Sequence, residues 1–159
     1  MGVGGWGKIK IKNHLSPAEA EVWTELGNIF SLNVGSSASL AGLVTLVELN
    51  RFDIIFLQEV RSSKAQIENL LRGFTAFTNI DSENPSRPGT AVAWKQDIPV
   101  SDAFNLVLCR LQVITVGCLK LFNVYAPSGS DKRQESAIFF GEQVFEALQL
   151  DSTFSFLLW

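Results

Sequence analysis

Residues 52–60, Phe-Asp-Ile-Ile-Phe-Leu-Gln-Glu-Val (FDIIFLQEV), set a continuous apolar run against a Gln-Glu pair. A short run with no polar alternation reads as a strand covered on both faces, as in a layered sheet. A carboxylate at the end of such a strand must reach solvent or find a partner, because a buried charge is costly without one. Glu59 is therefore the first residue to explain.

The regular pattern extends outward from this strand, placed over 53–58. Before it, IFSLNV (29–34) is a short apolar strand with Asn33 near its carboxyl end, followed by a Ser/Gly turn. Leu40, Leu43, Val44 and Val47 then fall at the spacing of one apolar helical stripe. After it, Ser63 and Gln66 form a capping box for a helix carrying Ile67, Leu70 and Leu71, which Gly73 ends. FTAFTN, the turn-rich DSENPSRP and GTAVAWK (89–95) read as strand, loop and strand. The apolar stretch 106–116, a turn near Gly117 and 119–125 read as a hairpin. A helix over about 131–149 places Ala137, Phe140, Val144 and Leu148 on one side, and TFSFLL forms a last strand. Mixed strands and helices with several consecutive strands predict an α/β layered sheet.

Residues 1–28 read as a separate leader, flexible with a short helix. MGVGGWG lacks the preceding strand that a phosphate loop requires, and Trp6 stands where a myristoylation signal wants Ser or Thr. KIKIK (8–12) reads as a solvated face. Ser16, Pro17 and Glu19 start a short helix through Val22, Trp23 and Leu26.

With 159 residues and 47% hydrophobic side chains, the chain is one domain's worth of core. It shows no signal-peptide pattern and no apolar run long enough for a membrane span, which predicts a soluble intracellular protein, nuclear or cytoplasmic. Cys109 and Cys118 are read as free thiols in a reducing compartment, and Pro85 blocks the one glycosylation acceptor at Asn84. A net charge of −3 supplies no general attraction to nucleic acid, so DNA binding requires a local basic face.

Three strand ends carry polar groups: Asn33, Gln58 with Glu59, and Asn123 with Tyr125. Singly, each has an ordinary structural reading: a carboxylate reaching solvent, an amide capping a turn, a packed ring with a bonded hydroxyl. Ligand sites of open α/β sheets gather at strand carboxyl ends. Together, a carboxylate, an amide and a phenol on one sheet edge can hold a hard divalent cation and a phosphate. The three are expected at one edge of a single sheet layer, facing a common cleft.

FDIIFLQEV, GTAVAWK and LKLFNVYAPSG, in this order, resemble the endonuclease/exonuclease/phosphatase superfamily of metal-dependent phosphodiesterases over roughly 29–158. The resemblance is closest to the endonuclease domain of LINE-type retrotransposons. It implies an incomplete domain over 29–159, a partial four-layer α/β sandwich made of the first half and part of the second sheet. It further implies that Glu59 is the principal ligand of a catalytic Mg²⁺ (Mn²⁺ as a substitute), with Gln58 pointing the other way. Asn33 matches the asparagine that helps hold the metal site, and Tyr125 matches the tyrosine that contacts the scissile phosphate. Arg61 matches a position often basic, and Ser128 stands where many relatives have Asn. The implied partners are DNA and, in a parent polyprotein, a reverse transcriptase domain.

The chain also departs from the pattern. Gly35 follows Asn33-Val34 where a second Asn or Asp is usual. The family's later Gly-Asp-x-Asn and Ser-Asp-His motifs are not found before Trp159, and the sole histidine, His14, lies in the leader. The expectation is a truncated, inactive nicking endonuclease. The alternatives are a non-catalytic binding remnant or a phosphatase for inositol phosphates or lipids.

Overall fold

A computed structural model describes residues 27–35, 37–127, 129–149 and 155–158. The elements follow in chain order as β1 (Ile29–Asn33), α1 (Ser37–Asn50), β2 (Ile54–Val60), α2 (Lys64–Leu70), β3 (Phe74–Asn79) and β4 (Gly89–Lys95). Then come β5 (Val100–Val107), β6 (Leu111–Val116), β7 (Leu119–Val124), a helical segment and β8 (Ser155–Leu158). They build two four-stranded sheets, β1-β2-β4-β3 and β5-β6-β7-β8. The α/β sandwich expected from the sequence is present.

The apolar run of β2 splits by parity, because successive side chains leave opposite faces of a strand. Ile55 and Leu57 join Leu40, Leu43 and Val47 of α1 and Ile67 of α2 on the outer face. Ile54 and Phe56 meet Ile114, Leu119 and Leu121 of the other sheet. Ile54, Ile55, Phe56 and Leu57 are all fully buried. At roughly 1.5–3 kcal/mol for each such side chain, this strand anchors both cores. A third cluster, with Val113, Phe122, Phe139 and Val144, covers the far face of the second sheet.

The helix termini follow their local chemistry. Ser63 accepts from Gln66 N–H while the Gln66 side chain accepts from Ser63 N–H, the reciprocal capping box that the sequence predicted. The last helix departs from expectation. It runs as an α-turn over Arg133–Ile138, a π-helical stretch over Phe139–Val144 and a further α-turn over Phe145–Gln149. In the middle piece, Phe145 N–H reaches back to Phe140 O. The wider turn shifts the apolar stripe, so Phe139 and Val144 are buried while Phe140 and Ala137 are exposed. The hairpin also begins later than read: residues 106–107 complete β5, and β6 starts at Leu111. At the amino end, Asn28 N–H donates to Asp53 Oδ2 at 2.7 Å. Residues 1–26, with His14 and the helix expected through Leu26, lie outside the described residues. No described helix is long and apolar enough to cross a membrane.

One seam between the sheets is polar. Gln58, Thr90 and Asn79 form a row across β2, β4 and β3. Asn105, Gln112 and Asn123 form a row across β5, β6 and β7. Asn123 Nδ2 donates to Leu57 O at 3.1 Å, Ala91 O at 3.0 Å and Gln112 Oε1 at 3.2 Å. Gln112 Nε2 donates to Phe77 O at 3.2 Å, and Asn79 Nδ2 to Val107 O at 2.7 Å. Among the described residues, the buried side-chain polar atom without a hydrogen-bond partner is Thr90 Oγ1. A satisfied buried amide is expensive to remove, and an unsatisfied hydroxyl is not. In urea denaturation, Asn123→Leu is therefore expected to lose about 3 kcal/mol, whereas Thr90→Val is neutral or gains up to about 1 kcal/mol.

Candidate active site

The end of β2 answers the question posed by Glu59. Gln58 pairs with Thr90 and Val60 with Gly89, so Glu59 is an extra residue in the register, a β-bulge. Its backbone is left-handed, with φ 59°. By strict alternation Glu59 belongs with Ile55 and Leu57 on the helix-covered face. The bulge takes it out of that alternation and leaves its side chain half-buried at the sheet edge. For a residue other than glycine this backbone costs roughly 1–2 kcal/mol, a cost borne where the side chain has a use.

Two groups converge on this carboxylate. Asn33 Nδ2 donates to Glu59 Oε1 at 3.0 Å, and the Tyr125 hydroxyl donates to the same oxygen at 3.4 Å. Glu59 Oε2 accepts no hydrogen bond from the described residues. Asn33 is held in turn, since Gly35 N–H donates to its Oδ1 at 3.1 Å from a left-handed backbone with φ 48°. A side chain at position 35 would need that same disfavoured conformation. Where a second Asn or Asp is usual after Asn33-Val34, this chain has Gly35, whose N–H fixes the Asn33 side chain.

The structure brings Asn33, Glu59 and Tyr125 together, but not on a single sheet layer. Asn33 and Glu59 end β1 and β2 of one sheet, and Tyr125 follows β7 of the other. The three side chains meet where strand ends of the two sheets adjoin. Arg61 is exposed and braces the rim, with Nη1 donating to Gly35 O and Nε to Ser86 O, both at 3.1 Å. Gln58 points away from the site into the seam and is buried. Ser128 lies outside the described residues.

Arg110 was not singled out by the sequence reading. Its guanidinium carbon stands 4.7 Å from the centre of the Tyr125 ring, and its Nη1 donates to Tyr125 O at 3.3 Å. The signal was the hairpin register: with Leu111 opposite Val124, Arg110 falls beside Tyr125. Burial pushes the Tyr125 phenol above its ordinary value of 10.0, the Glu59 charge pushes the same way, and Arg110 opposes both. The phenol thus stays protonated and a donor at neutral pH.

The chemistry of this donor set, a carboxylate whose Oε2 has no donor among the described residues beside an amide and a phenol, fits a hard cation that takes few protein ligands. Among the described residues, no group of three or more His, Cys, Asp and Glu gathers where it could hold a metal ion.

Comparison with known proteins places the chain. Residues 30–149 match the model of the Endonuclease/Exonuclease/phosphatase family. The chain belongs to this family. Among solved structures it is similar to humanized D. rerio TDP2 carrying 14 mutations, with TM-score 0.62 and 18% identity over 81% of this chain and 58% of that one. It is similar to an AP endonuclease from Archaeoglobus fulgidus, with TM-score 0.60 and 22% identity over 81% and 54% of the two chains. It is also similar to TDP2 from C. elegans, with TM-score 0.57 and 22% identity over 78% and 44%. The chain spans little more than half the length of the first of these. No curated protein sequence matches it. At these identities the likeness establishes the family's nuclease-type fold.

Two measurements test the site geometry. Glycine tolerates the bulge backbone and alanine does not, so Glu59→Gly is expected to be about 1 kcal/mol more stable than Glu59→Ala in urea, although both lose the carboxylate. The chain has one tyrosine, so the ultraviolet phenolate signal titrates Tyr125 alone. Its midpoint is expected above 10, lower in Glu59→Gln and higher in Arg110→Gln. A raised pKa contributes stability fully present below about pH 10 and lost as pH rises through the folded value.

Proposed function

We propose that this chain carries the metal- and phosphate-holding part of a phosphodiesterase centre that acts on DNA, of the retrotransposon endonuclease type. The observation that carries this reading is the convergence of Asn33 and Tyr125 on one oxygen of the Glu59 carboxylate, with no donor to the second oxygen among the described residues. The family membership supports it, and so do the substrates of similar folds: one D. rerio TDP2 structure is complexed with a single-strand DNA product, and another neighbour is an AP endonuclease.

In this reading, Glu59, held through Oε1 by Asn33, would be the residue that holds Mg²⁺, or Mn²⁺ in its place. The cation would supply positive charge to polarise a phosphodiester and stabilise its leaving oxygen. Tyr125 donates to Glu59 in the free site and turns the same hydroxyl to a phosphate oxygen of the substrate. Arg110 keeps the ring of Tyr125 in place by stacking on it. Arg61 ties the loop after β1 to the loop before β4 and so closes the rim. The described residues supply one carboxylate and no imidazole here, whereas hydrolysis needs a base within hydrogen-bond reach of the attacking water. The chain as given is therefore proposed to bind DNA phosphate with Mg²⁺ weakly and not to hydrolyse it.

Anisotropy of a short labelled single-stranded oligonucleotide tests this reading. Weak binding strengthened by Mg²⁺ is expected, and Glu59→Gln should remove the Mg²⁺ effect. A Mg²⁺ response identical in the two proteins overturns the assignment of Glu59. With supercoiled plasmid and Mg²⁺, no nicked circles above background are expected. Nicking that disappears in Glu59→Ala would show that the chain has a complete catalytic apparatus.

A further inference from the structure

Glu59 lies in one sheet and Tyr125 directly follows a strand of the other, and among the described residues no strand pairing connects those sheets. Their relative placement depends on how the sheets are stacked. Most of that stacking is apolar: Ile54, Phe56 and Val92 lie against Ile114, Val116, Leu119 and Leu121. Apolar contact is non-directional, so it does not by itself specify one register. The Tyr125–Glu59 contact has little tolerance for a slide, because at 3.4 Å it lies near the outer limit of a hydrogen bond.

The directional contact nearest the site is one between buried amides. Gln58 Nε2 donates to Asn123 Oδ1 at 2.7 Å. Gln58 directly precedes Glu59, and Asn123 precedes Tyr125 by two residues. Both amides are fixed further. Gln58 Nε2 also donates to Ser31 Oγ at 3.1 Å, and Asn123 Nδ2 reaches the carbonyls of Leu57 and Ala91 across the interface. Exposure is 4% at Gln58 and 0% at Asn123, so water does not compete for these bonds.

We propose that the buried Gln58–Asn123 hydrogen bond is the register pin that holds Glu59 against Tyr125, making Gln58 and Asn123 positioning residues of the candidate site. It rests on the proposed function only in naming that pair as the site. A shift of a few tenths of an ångström at the seam, too small to unfold the domain, separates the phenol from the carboxylate. The remainder of the seam has a different task. Asn105, whose Nδ2 donates to Thr78 O at 3.1 Å, bridges the same two sheets but lies away from Glu59, on the edge strand β5.

The test is a double-mutant cycle between Glu59→Ala and Tyr125→Phe, read as their coupling in urea denaturation. A hydrogen bond near its outer distance limit is lost on a small displacement, so the coupling found in the unaltered chain is expected to vanish in Gln58→Met and in Asn123→Ser and to remain in full in Asn105→Ser. Gln58→Met keeps every Asn123 amide donation to Leu57, Ala91 and Gln112, so it serves if Asn123→Ser does not fold. Undiminished coupling in folded Gln58→Met overturns the proposal, and so does equal loss in Asn105→Ser, which would mark general loosening of the interface. No metal or substrate enters the measurement. A failed Mg²⁺ or oligonucleotide experiment alongside an intact cycle would therefore sink the proposed function and leave the register pin standing.

Discussion

The stacking of one apolar sheet face on another is the constraint on which the rest of this structure depends, and its polar seam is what makes the stacking specific. Ile54 and Phe56 would pack against many arrangements of Ile114, Leu119 and Leu121. Gln58, Asn79, Gln112 and Asn123 would not, because a misplaced buried amide forfeits its partners. The amides reach across the interface to main-chain carbonyls of the opposite sheet at Leu57, Phe77, Ala91 and Val107. These carbonyl positions are set by the strand ladders, so each sheet reads the register of the other.

The site sits at the end of this seam, where apolar packing gives way to solvent. Three separate devices meet there. A bulge takes Glu59 out of the strand alternation, a left-handed turn at Gly35 holds Asn33, and Arg110 stacks on Tyr125. Glu59 shares its left-handed backbone with Arg51 and Cys109, and among these three it is the one that a β-bulge places at the candidate site. Family membership and the nuclease-type fold frame this arrangement, and the Glu59 carboxylate is what the proposed chemistry would use.

Much of the fold was legible in the residues. The uninterrupted apolar run of β2 announced a strand covered on both faces, and GTAVAWK, FTAFTN and the Ser63–Gln66 capping box mark elements at the places read. The last helix was misread for a physical reason. Its apolar residues, Phe139, Phe140 and Val144, suit more than one helical period, and packing of Phe139 and Val144 on Phe122 and Val124 selected the π-helical one. Local spacing alone cannot express that choice.

For the site, the sequence by itself determined which polar residues stand at strand ends: Asn33, Glu59 and Tyr125 follow directly from where apolar runs stop. It also contained Arg110 beside Tyr125, through the pairing of β6 with β7. Only the tertiary structure decided that Glu59 leaves the strand alternation, since a bulge arises from the mismatch between β2 and β4 and not from either strand alone. It likewise decided that Tyr125 reaches Glu59 from a second sheet rather than along the same one. That contact spans 66 residues and exists only because two apolar faces, each dictated locally, are locked in one register by amides that no local pattern relates to each other.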